Sequence, residues 1–519
     1  MPTKPDVSLN PPLALRSRNP FAWLVFFGPG AVIASLTIGT GELIFSSRAG
    51  ALFGCRLLWF FVLVLALKWV LAFATARHMV LTGAHPFQRW MELPGPRGWF
   101  PAVFFLLALA CFPIWVSFHA GTLGTLLAWL TGTDRLLHGG AYLAWGLILL
   151  MAVLVLVSAG GYDRLEKIQL AIVGLMLVSV VVSLFLLNPH WLELLRGLLV
   201  PQFPHYPPWI GSHPEIAARP VWVEIITYVG VLGGSGYDYL AYVGYLRAKH
   251  WGRAGRAMAD ADSLATVSRD PHHSDRKWLR ALWIDSVLSF LAVLLFSGVF
   301  VACGATVLGP RHQVPGGGNL LQLQAEFVSP DYPWLKPLYF AGAFLAILGT
   351  LYGTIEVAPA ILRELVDGFS PGNAERQGKR LRFGAVLWVS AGGGIVLVWS
   401  LINQLKRGTA DPPSLIALLT PANLFTGVLS CGLICALSSW ADWRCLPRGL
   451  WMSWPLRWLN MLAAVVFLAL GLKGYWDHNG WAAYLMLGGT LAVGWLLAWA
   501  GESCSRSAVK RRNEEFTNS

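Results

Sequence analysis

Charged residues are scarce in this chain. Asp, Glu, Lys and Arg together make up 13% of its 519 residues, about half of the ~25% that is typical of a soluble domain. Hydrophobic residues make up 55%, accompanied by 54 glycines and 26 tryptophans. Glycine at helix contacts and tryptophan at the lipid interface are both enriched in membrane proteins. The composition therefore excludes a soluble globular protein and predicts a helical protein with many membrane spans.

Motifs that define several other classes of protein are missing as well. The sequence contains no HExxH or GxSxG motif of a hydrolase and no phosphate-binding P-loop of an ATP-driven pump. Its seven cysteines form no CxxC pair. Residues 1–20 lack the apolar core of a removable signal peptide. We therefore expect a protein that is not an enzyme, needs no cofactor and keeps its first apolar segment.

Apolar stretches long enough to cross a bilayer, about 20 residues each, recur about twelve times. They lie near 21–50, 57–76, 99–130, 141–160, 165–187, 221–246, 281–308, 337–362, 383–403, 413–440, 454–472 and 480–500. Lys and Arg concentrate in the tails and the even-numbered loops, most densely between the sixth and seventh spans. The positive-inside rule then predicts a plasma (inner) membrane protein with both termini cytoplasmic. The net charge of +12 is accordingly expected to face the lipid bilayer rather than a nucleic acid.

Two of these spans contain glycine-rich runs that end in an acidic residue. The first span contains Thr37-Ile-Gly-Thr-Gly-Glu42, and the sixth contains Val231-Leu-Gly-Gly-Ser-Gly-Tyr-Asp238. Unwound backbone in hydrocarbon leaves polar groups unsatisfied, at several kcal/mol each. Paired interruptions five spans apart are typical of inverted-repeat transporters, which hold substrate between half-helices at the midplane. The alternative is that these glycines only allow close helix packing.

Several short motifs, in order along the chain, resemble those of the Nramp (natural resistance-associated macrophage protein) family of divalent metal transporters. They are Gly28-Pro29-Gly30, Gly50 to Gly54 with Leu57-Leu58-Trp59, Ala76-Arg77 with Leu81-Thr82-Gly83, Gly161 to Ile168, Gly230 to Gly233, Ile284-Asp285, and Gly349 to Glu356. The resemblance extends from about residue 20 to residue 440. It implies the fold of amino-acid and cation symporters, in which two five-helix repeats are inverted and helices one and six are broken.

This fold predicts an all-α integral membrane protein of about twelve transmembrane helices. We expect a single transmembrane domain over residues 21–500, between cytoplasmic tails at 1–20 and 501–519. Within the domain, the first repeat is expected over about 21–187 and the second over about 221–440. Extra helices are expected over about 454–500.

The family's metal-binding motifs are altered in this chain. Where relatives have Asp-Pro-Gly-Asn, the aligned residues are Gly39, Thr40, Gly41 and Glu42. Where relatives have Met-Pro-His, they are Tyr237, Asp238 and Tyr239. The family's aspartate and thioether are thus absent, and Glu42 and Asp238 would supply two carboxylates instead. Since oxygen ligands suit hard ions and thioethers select softer metals, we expect magnesium or manganese rather than iron. The predicted substrate-binding residues are Gly39, Thr40, Glu42, Gly234, Tyr237 and Asp238, with Glu42 and Asp238 as the metal ligands.

Four further polar residues lie inside the predicted spans. Lys68 is near the middle of the second span, where a lone charge costs a few kcal/mol or more. We expect Glu42 or Asp238 to be its charge partner, unless Lys68 extends to an interface. Glu356, His119 and Asn423 are candidates for the permeation path or for coupling. The alternatives are a hydrogen-bonded core histidine for His119 and a satisfied helix kink for Asn423.

The sequence therefore predicts a secondary active transporter that works by alternating access on a small inorganic cation. The favoured substrate is a divalent metal ion. A small organic solute such as an amino acid is the alternative on the same fold. A non-transporting membrane receptor or scaffold is the alternative from another class.

Overall fold

The computed structural model describes residues 11–17, 19–158, 189–315, 323–327, 335–407 and 415–517, with scattered residues between 164 and 182. Helices dominate this described part, which contains no β-strand. Those of the first half are α1 (Pro29–Thr37), α2 (Ser47–Phe53), α3 (Leu58–Thr82), α4 (Pro86–Trp90), α5 (Trp99–Leu130) and α6 (Ala141–Ser158). Those that follow are α7 (Trp191–Leu199), α8 (Pro214–Ala217), α9 (Val221–Val231), α10 (Gly236–Lys249), α11 (Ala261–Arg269), α12 (Ser274–Cys303), α13 (Leu335–Phe369), α14 (Asn373–Arg376), α15 (Gly378–Arg407), α16 (Leu415–Asn423), α17 (Ser430–Cys445), α18 (Trp454–Asn479) and α19 (Trp481–Thr517).

Nine helical stretches of the described chain are long and apolar enough to cross a membrane. One of them, Pro29–Thr82, has 54 residues, far more than the roughly 20 that one crossing needs. It contains a turn at Gly54, where φ is +61°, and therefore makes two crossings. The sixth predicted span is divided between α9 and α10, and most of the fifth lies outside the described residues. The predicted all-α membrane fold is confirmed.

The two predicted interruptions differ in their backbone. In the first, α1 and α2 are joined by the π-helical segment Ile38–Ser46, so this span is distorted but stays helical. In the second, α9 ends at Val231 and α10 begins at Gly236, with an unwound stretch between them. A π-helical turn keeps its hydrogen bonds within the helix, whereas the unwound stretch must find partners elsewhere.

The interrupted helices lie at the centre of the bundle. Helix α1 packs against α10, α12 and α13, and α3 packs against α10 and α12. Large apolar side chains of α18 and α19 are exposed, as expected of helices that face lipid. The unwound stretch between α9 and α10 is thus surrounded by protein, which is the setting that irregular backbone requires at membrane depth.

Candidate functional site

The break between α9 and α10 depends on two adjacent glycines. Gly233 and Gly234 have φ values of +74° and +97°, a region that glycine adopts without the steric cost of a side chain. A Cβ at Gly233 would lie 2.7 Å from Leu65 Cδ2, and one at Gly234 would lie 2.8 Å from Thr37 Cγ2. Both the backbone conformation and the packing therefore require glycine here.

Side chains from the first half of the protein satisfy the polar backbone groups of this break. The N–H of Gly233 donates to Glu42 Oε1 at 3.0 Å. The carbonyls of Leu232 and Gly234 accept from Lys68 Nζ at 2.5 and 2.7 Å. These contacts supply hydrogen bonds to backbone groups that would otherwise have no partner at membrane depth.

The residues of α10 complete this set of contacts. Tyr239 OH donates to the carbonyl of Gly233. Asp238 Oδ2 accepts from the Ser235 N–H at 2.6 Å, while the Asp238 N–H donates to Ser235 Oγ at 3.3 Å. This reciprocal pair is a capping box, which fixes the N-terminus of α10.

Lys68 contacts carbonyls rather than carboxylates. It is fully buried, and its Nζ also lies 3.5 Å from the carbonyl of Gly230. Among the described residues, no carboxylate oxygen lies within 4 Å of Nζ, although the charges of Glu42 and Asp238 act on it at longer range. Lys68 therefore contacts the backbone of the break and does not form the direct ion pair that we expected from the sequence. Because its side chain is buried, Lys68 does not extend to the interface either.

A small cavity lies beside the break, with a volume of about 50 Å³. One water needs roughly 10–15 Å³ by this measure, so the cavity has room for a few water molecules. Its walls come from α1, the π-helical segment 38–46, α5, both sides of the break between α9 and α10, α13, and a second π-helical segment, Leu424–Leu429, that follows α16. They consist of Leu36, Thr37, Thr40, Gly41, Cys111, Phe112, Trp115, His119, Gly230, Val231, Gly234, Ser235, Tyr237, Asp238, Thr354 and Thr426.

Four of the six predicted substrate residues line this cavity, namely Thr40, Gly234, Tyr237 and Asp238. Thr40 Oγ1 is 3.0 Å from His119 Nδ1, which brings a predicted coupling residue to the same wall. Tyr237 OH is already used, because it donates to the carbonyl of Phe104 at 2.6 Å. The carboxylate of Asp238 is the charged group of the lining.

The other two predicted substrate residues lie behind the cavity wall. A Cβ on Gly39 would overlap the side chain of Thr350 in α13, so this glycine permits close helix packing. Glu42 is fully buried; its Oε1 holds Gly233, and its Oε2 has no hydrogen-bond partner in the described structure. Its predicted role as a metal ligand therefore stays a prediction, and the geometry instead shows it holding the break.

Two further predicted residues are placed away from the lining. Asn423, at the end of α16, is buried beside Gly230, and its Nδ2 lies 3.5 Å from the carbonyl of Thr227. Glu356 forms a bidentate ion pair with Arg382 of α15 at 2.6 and 2.7 Å. That pair lies in a second cavity of about 340 Å³ between α10, α13 and α15.

The structure also reveals two buried polar links on either side of the central cavity, both absent from the sequence-based site. Where α2 meets α9, Arg48 pairs with Glu224, and it also donates to the carbonyl of Pro315 at 2.6 Å. Tyr228 OH donates to the same glutamate at 2.9 Å. Arg48, a lone arginine inside an apolar span, was the sequence feature that could have indicated this link, because such a charge needs a buried partner.

The second link holds the start of α1. Asp285 of α12 accepts from the N–H groups of Gly28 and Gly30 at 2.9 to 3.0 Å, and from Tyr242 OH of α10 at 2.9 Å. The first N–H groups of a helix lack intrahelical partners, so a carboxylate at this position both caps α1 and complements its dipole. The Gly28-Pro29-Gly30 start of α1 was the sequence feature that could have indicated this link.

The cavity has few strong metal ligands. Within the part of the chain that the structure describes, no three His, Cys, Asp or Glu side chains lie close enough together to hold a metal ion. The lining instead offers one carboxylate, the hydroxyls of Thr37, Thr40, Thr354 and Thr426, an imidazole and backbone carbonyls. Oxygen-bearing side chains therefore predominate among the polar groups of the lining.

Comparisons with known proteins support the architecture. Two crystal structures of the manganese transporter of Eremococcus coleocola, one a histidine-to-alanine variant and one a complex with an aromatic bis-isothiourea substituted compound, have TM-scores of 0.65 and 0.64 at 15% identity. Each alignment covers 94% of this chain and 96% of the other. The structure of MhsT in complex with L-phenylalanine has a TM-score of 0.52 at 13% identity, covering 86% of this chain and 98% of the other.

Sequence comparison identifies the family. No curated protein matches the chain significantly by sequence. The family model for natural resistance-associated macrophage protein-like proteins matches residues 30–324, more than half of the chain. This match confirms the resemblance seen in the sequence motifs, and the solved structures agree with it in fold. The chain belongs to the Nramp family.

Proposed function

We propose that the protein is a secondary active transporter of divalent metal cations, with magnesium or manganese favoured over iron. The observation that carries this proposal is the small cavity at the helix break, with Asp238 on its wall, in a chain of the Nramp family. The structurally similar transporter of Eremococcus coleocola is a manganese transporter. The lipid bilayer is the other partner that the apolar helices require.

The cavity favours a hard ion that keeps some of its water. Most of the polar side chains of its lining carry oxygen, namely Asp238, Ser235, Tyr237 and the four threonines. Magnesium in particular dehydrates reluctantly and is held by one or two carboxylates with several waters. Among the residues of the lining, Cys111 is the sulfur-containing one, and it is a thiol rather than the thioether that the family motif would supply.

The two buried links fit alternating access, with the central cavity between them. The residues before α1 contact both the basic loop after α10, where Phe26 packs against Trp251, and the start of α12, where Arg280 lies over the ring of Trp23. We infer that this end of the bundle is cytoplasmic, because basic loops stay inside. Opening inward would then release α1 from Asp285, and opening outward would separate Arg48 from Glu224.

The remaining predicted coupling residues have separate places in this scheme. His119 shares the cavity wall with Thr40 and is proposed to contact the substrate's water shell. Glu356 and Arg382 lie in the second cavity, on the α10 side, and are proposed to line the inward path. Asn423 is proposed to set the spacing of α16 against Gly230.

Uptake into liposomes by the Asp238→Asn variant tests the proposal. The amide oxygen of asparagine can still accept from the Ser235 N–H, so the capping box and the melting temperature should be retained. We expect manganese uptake and the heat of manganese binding to be lost. Asp477→Asn, which removes a carboxylate from α18 far along the chain, is the matched control and should transport normally.

The same assay distinguishes the alternatives. Cys111→Ser should leave the preference for manganese over iron unchanged, because an oxygen site does not need the thiol. Folded wild-type protein that binds no divalent ion but takes up an amino acid would replace the metal with an organic solute. Folded protein that transports neither would favour a receptor or scaffold.

A further inference from the structure

Lys68 occupies a cup of backbone carbonyls in the break between α9 and α10. Its Nζ lies 2.5 Å from the carbonyl oxygen of Leu232, 2.7 Å from that of Gly234 and 3.5 Å from that of Gly230. An ammonium has three N–H donors and no acceptor, so the three carbonyls match it in number. The cup and the lysine are both buried at the centre of the bundle.

Carbonyl oxygens freed by an unwound transmembrane helix are the groups that coordinate monovalent cations in transporters of this general architecture. They replace the water shell of an ion, as carbonyl rings do in ion channels. In this chain the ammonium group of Lys68, a side chain of α3, lies among these carbonyls. We propose that the break is a monovalent-cation site and that Lys68 is its permanent occupant, which makes the closed break independent of free sodium or potassium.

The neighbouring charges support this assignment. Glu42 and Asp238 act on Lys68 at longer range, and each is bonded to the backbone of the break rather than to the ammonium itself. The local arrangement is therefore a cation surrounded by carbonyls, with carboxylates in the next layer. A lysine that merely balanced a carboxylate would contact that carboxylate directly.

Replacing Lys68 tests whether the cup accepts a free ion. Lys68→Ala leaves space at the cup, whereas Lys68→Met keeps the bulk of the side chain without its charge. Thermal melting of the full-length protein in detergent is measured with EDTA present, in ammonium, potassium, sodium or N-methylglucamine chloride at equal ionic strength. We expect Lys68→Ala to recover at least half of its lost melting temperature in one of the three small cations, and to recover nothing in N-methylglucamine, which is too large to enter.

The controls separate a specific site from a general salt effect. Lys68→Met should be destabilised and should not respond to the cation. Lys473→Ala, which removes an exposed lysine from α18, should match the wild type in every salt. The wild type itself should melt at one temperature in all four salts.

Three results would overturn the proposal. One is a wild type that is stabilised by sodium or potassium, since the cup would then be open to free ions. Another is equal recovery of Lys68→Ala and Lys68→Met in the small cations. The third is failure of Lys68→Ala to fold in all three small cations while Lys68→Met folds. Because no divalent ion is present, these outcomes are independent of the metal-transport proposal.

Discussion

The two interrupted helices have similar sequences and different backbones. Residues 38–46 pass through a π-helix, whereas the chain between Val231 and Gly236 leaves the helix altogether. Gly39 and Gly41 lie in the helical segment and serve close packing, against Thr350 and the Val231 carbonyl respectively. Gly233 and Gly234 adopt positive φ. A glycine-rich run that ends in an acidic residue therefore does not by itself define a broken helix.

The difference extends to where each segment finds its hydrogen bonds. The π-helical segment keeps them within the first interrupted helix. The unwound segment takes them from Glu42 and Lys68, which belong to that first helix region and to α3. We therefore expect the first interrupted helix to move as a unit and the second to act as two halves.

The largest effect on stability is expected for the ion pair between Arg48 of α2 and Glu224 of α9, which links the two interrupted helices. Removing Glu224 leaves Arg48 buried and unpaired, which costs about 3–5 kcal/mol. The Glu224→Leu variant should therefore melt far below the wild type in detergent. The double variant Arg48→Met with Glu224→Leu should recover much of this loss, because an apolar pair can replace a buried ion pair.

An exposed pair provides the matched control for this link. Arg311 and Glu326 are about half exposed, and such a surface pair is worth about 0–1 kcal/mol. Glu326→Leu should thus leave the melting temperature almost unchanged. Additive losses in the Arg48 and Glu224 double variant would show that the two residues are stabilised by other groups.

The next effect is expected at the unwound segment. Gly234→Ala places a Cβ in the left-handed region, at roughly 1–2 kcal/mol, and adds an overlap with Thr37 that costs about 1–3 kcal/mol. Trimming the neighbour with Thr37→Ser should restore only the part due to overlap. Melting curves of the single and double variants measure this, and full recovery would mean that backbone conformation is unimportant at Gly234.

A smaller effect, caused by overlap with a side chain rather than by backbone conformation, is expected in the π-helical segment. Gly39→Ala overlaps the side chain of Thr350, a packing penalty of about 1–3 kcal/mol. Thr350→Ala removes the overlapping hydroxyl and should restore part of the loss, since the Cβ of residue 350 would still lie 2.8 Å from the new methyl group. Gly41→Ala is the control, because its Cβ would meet the backbone carbonyl of Val231 at 2.9 Å, which no side-chain change can remove. Rescue of both variants alike would contradict the steric explanation.

The fold was largely predictable because its signals are local. Span length and composition depend on runs of apolar residues, and those runs identify membrane helices directly. The arrangement into inverted repeats came instead from the family resemblance, since no single span encodes its neighbours. The π-helical form of residues 38–46 was missed because Gly39 and Gly41 look like helix breakers until their packing partners are known.

The site was predictable only in part because it depends on distant contacts. Asp238 and Thr40 line the cavity, whereas Glu42 contacts Gly233, which is 191 residues away in sequence. The partner of Arg48 lies 176 residues away. A sequence shows that a buried charge needs a partner, but the choice among several candidates is made by helix packing.

The smallest effect on stability is expected for Glu42→Gln, and it decides which of two roles this residue has. The amide oxygen of glutamine can still accept from the Gly233 N–H, so the free energy of unfolding should change by no more than about 0.5 kcal/mol. The carboxylate is nevertheless lost, and we expect manganese uptake in liposomes to fall to background. Glu42→Ala is the comparison, because it loses both the charge and the acceptor for Gly233 and should fail in stability as well as uptake. If Glu42→Gln transports like the wild type, Glu42 serves only to hold the break, and Asp238 remains the acidic residue of the substrate site.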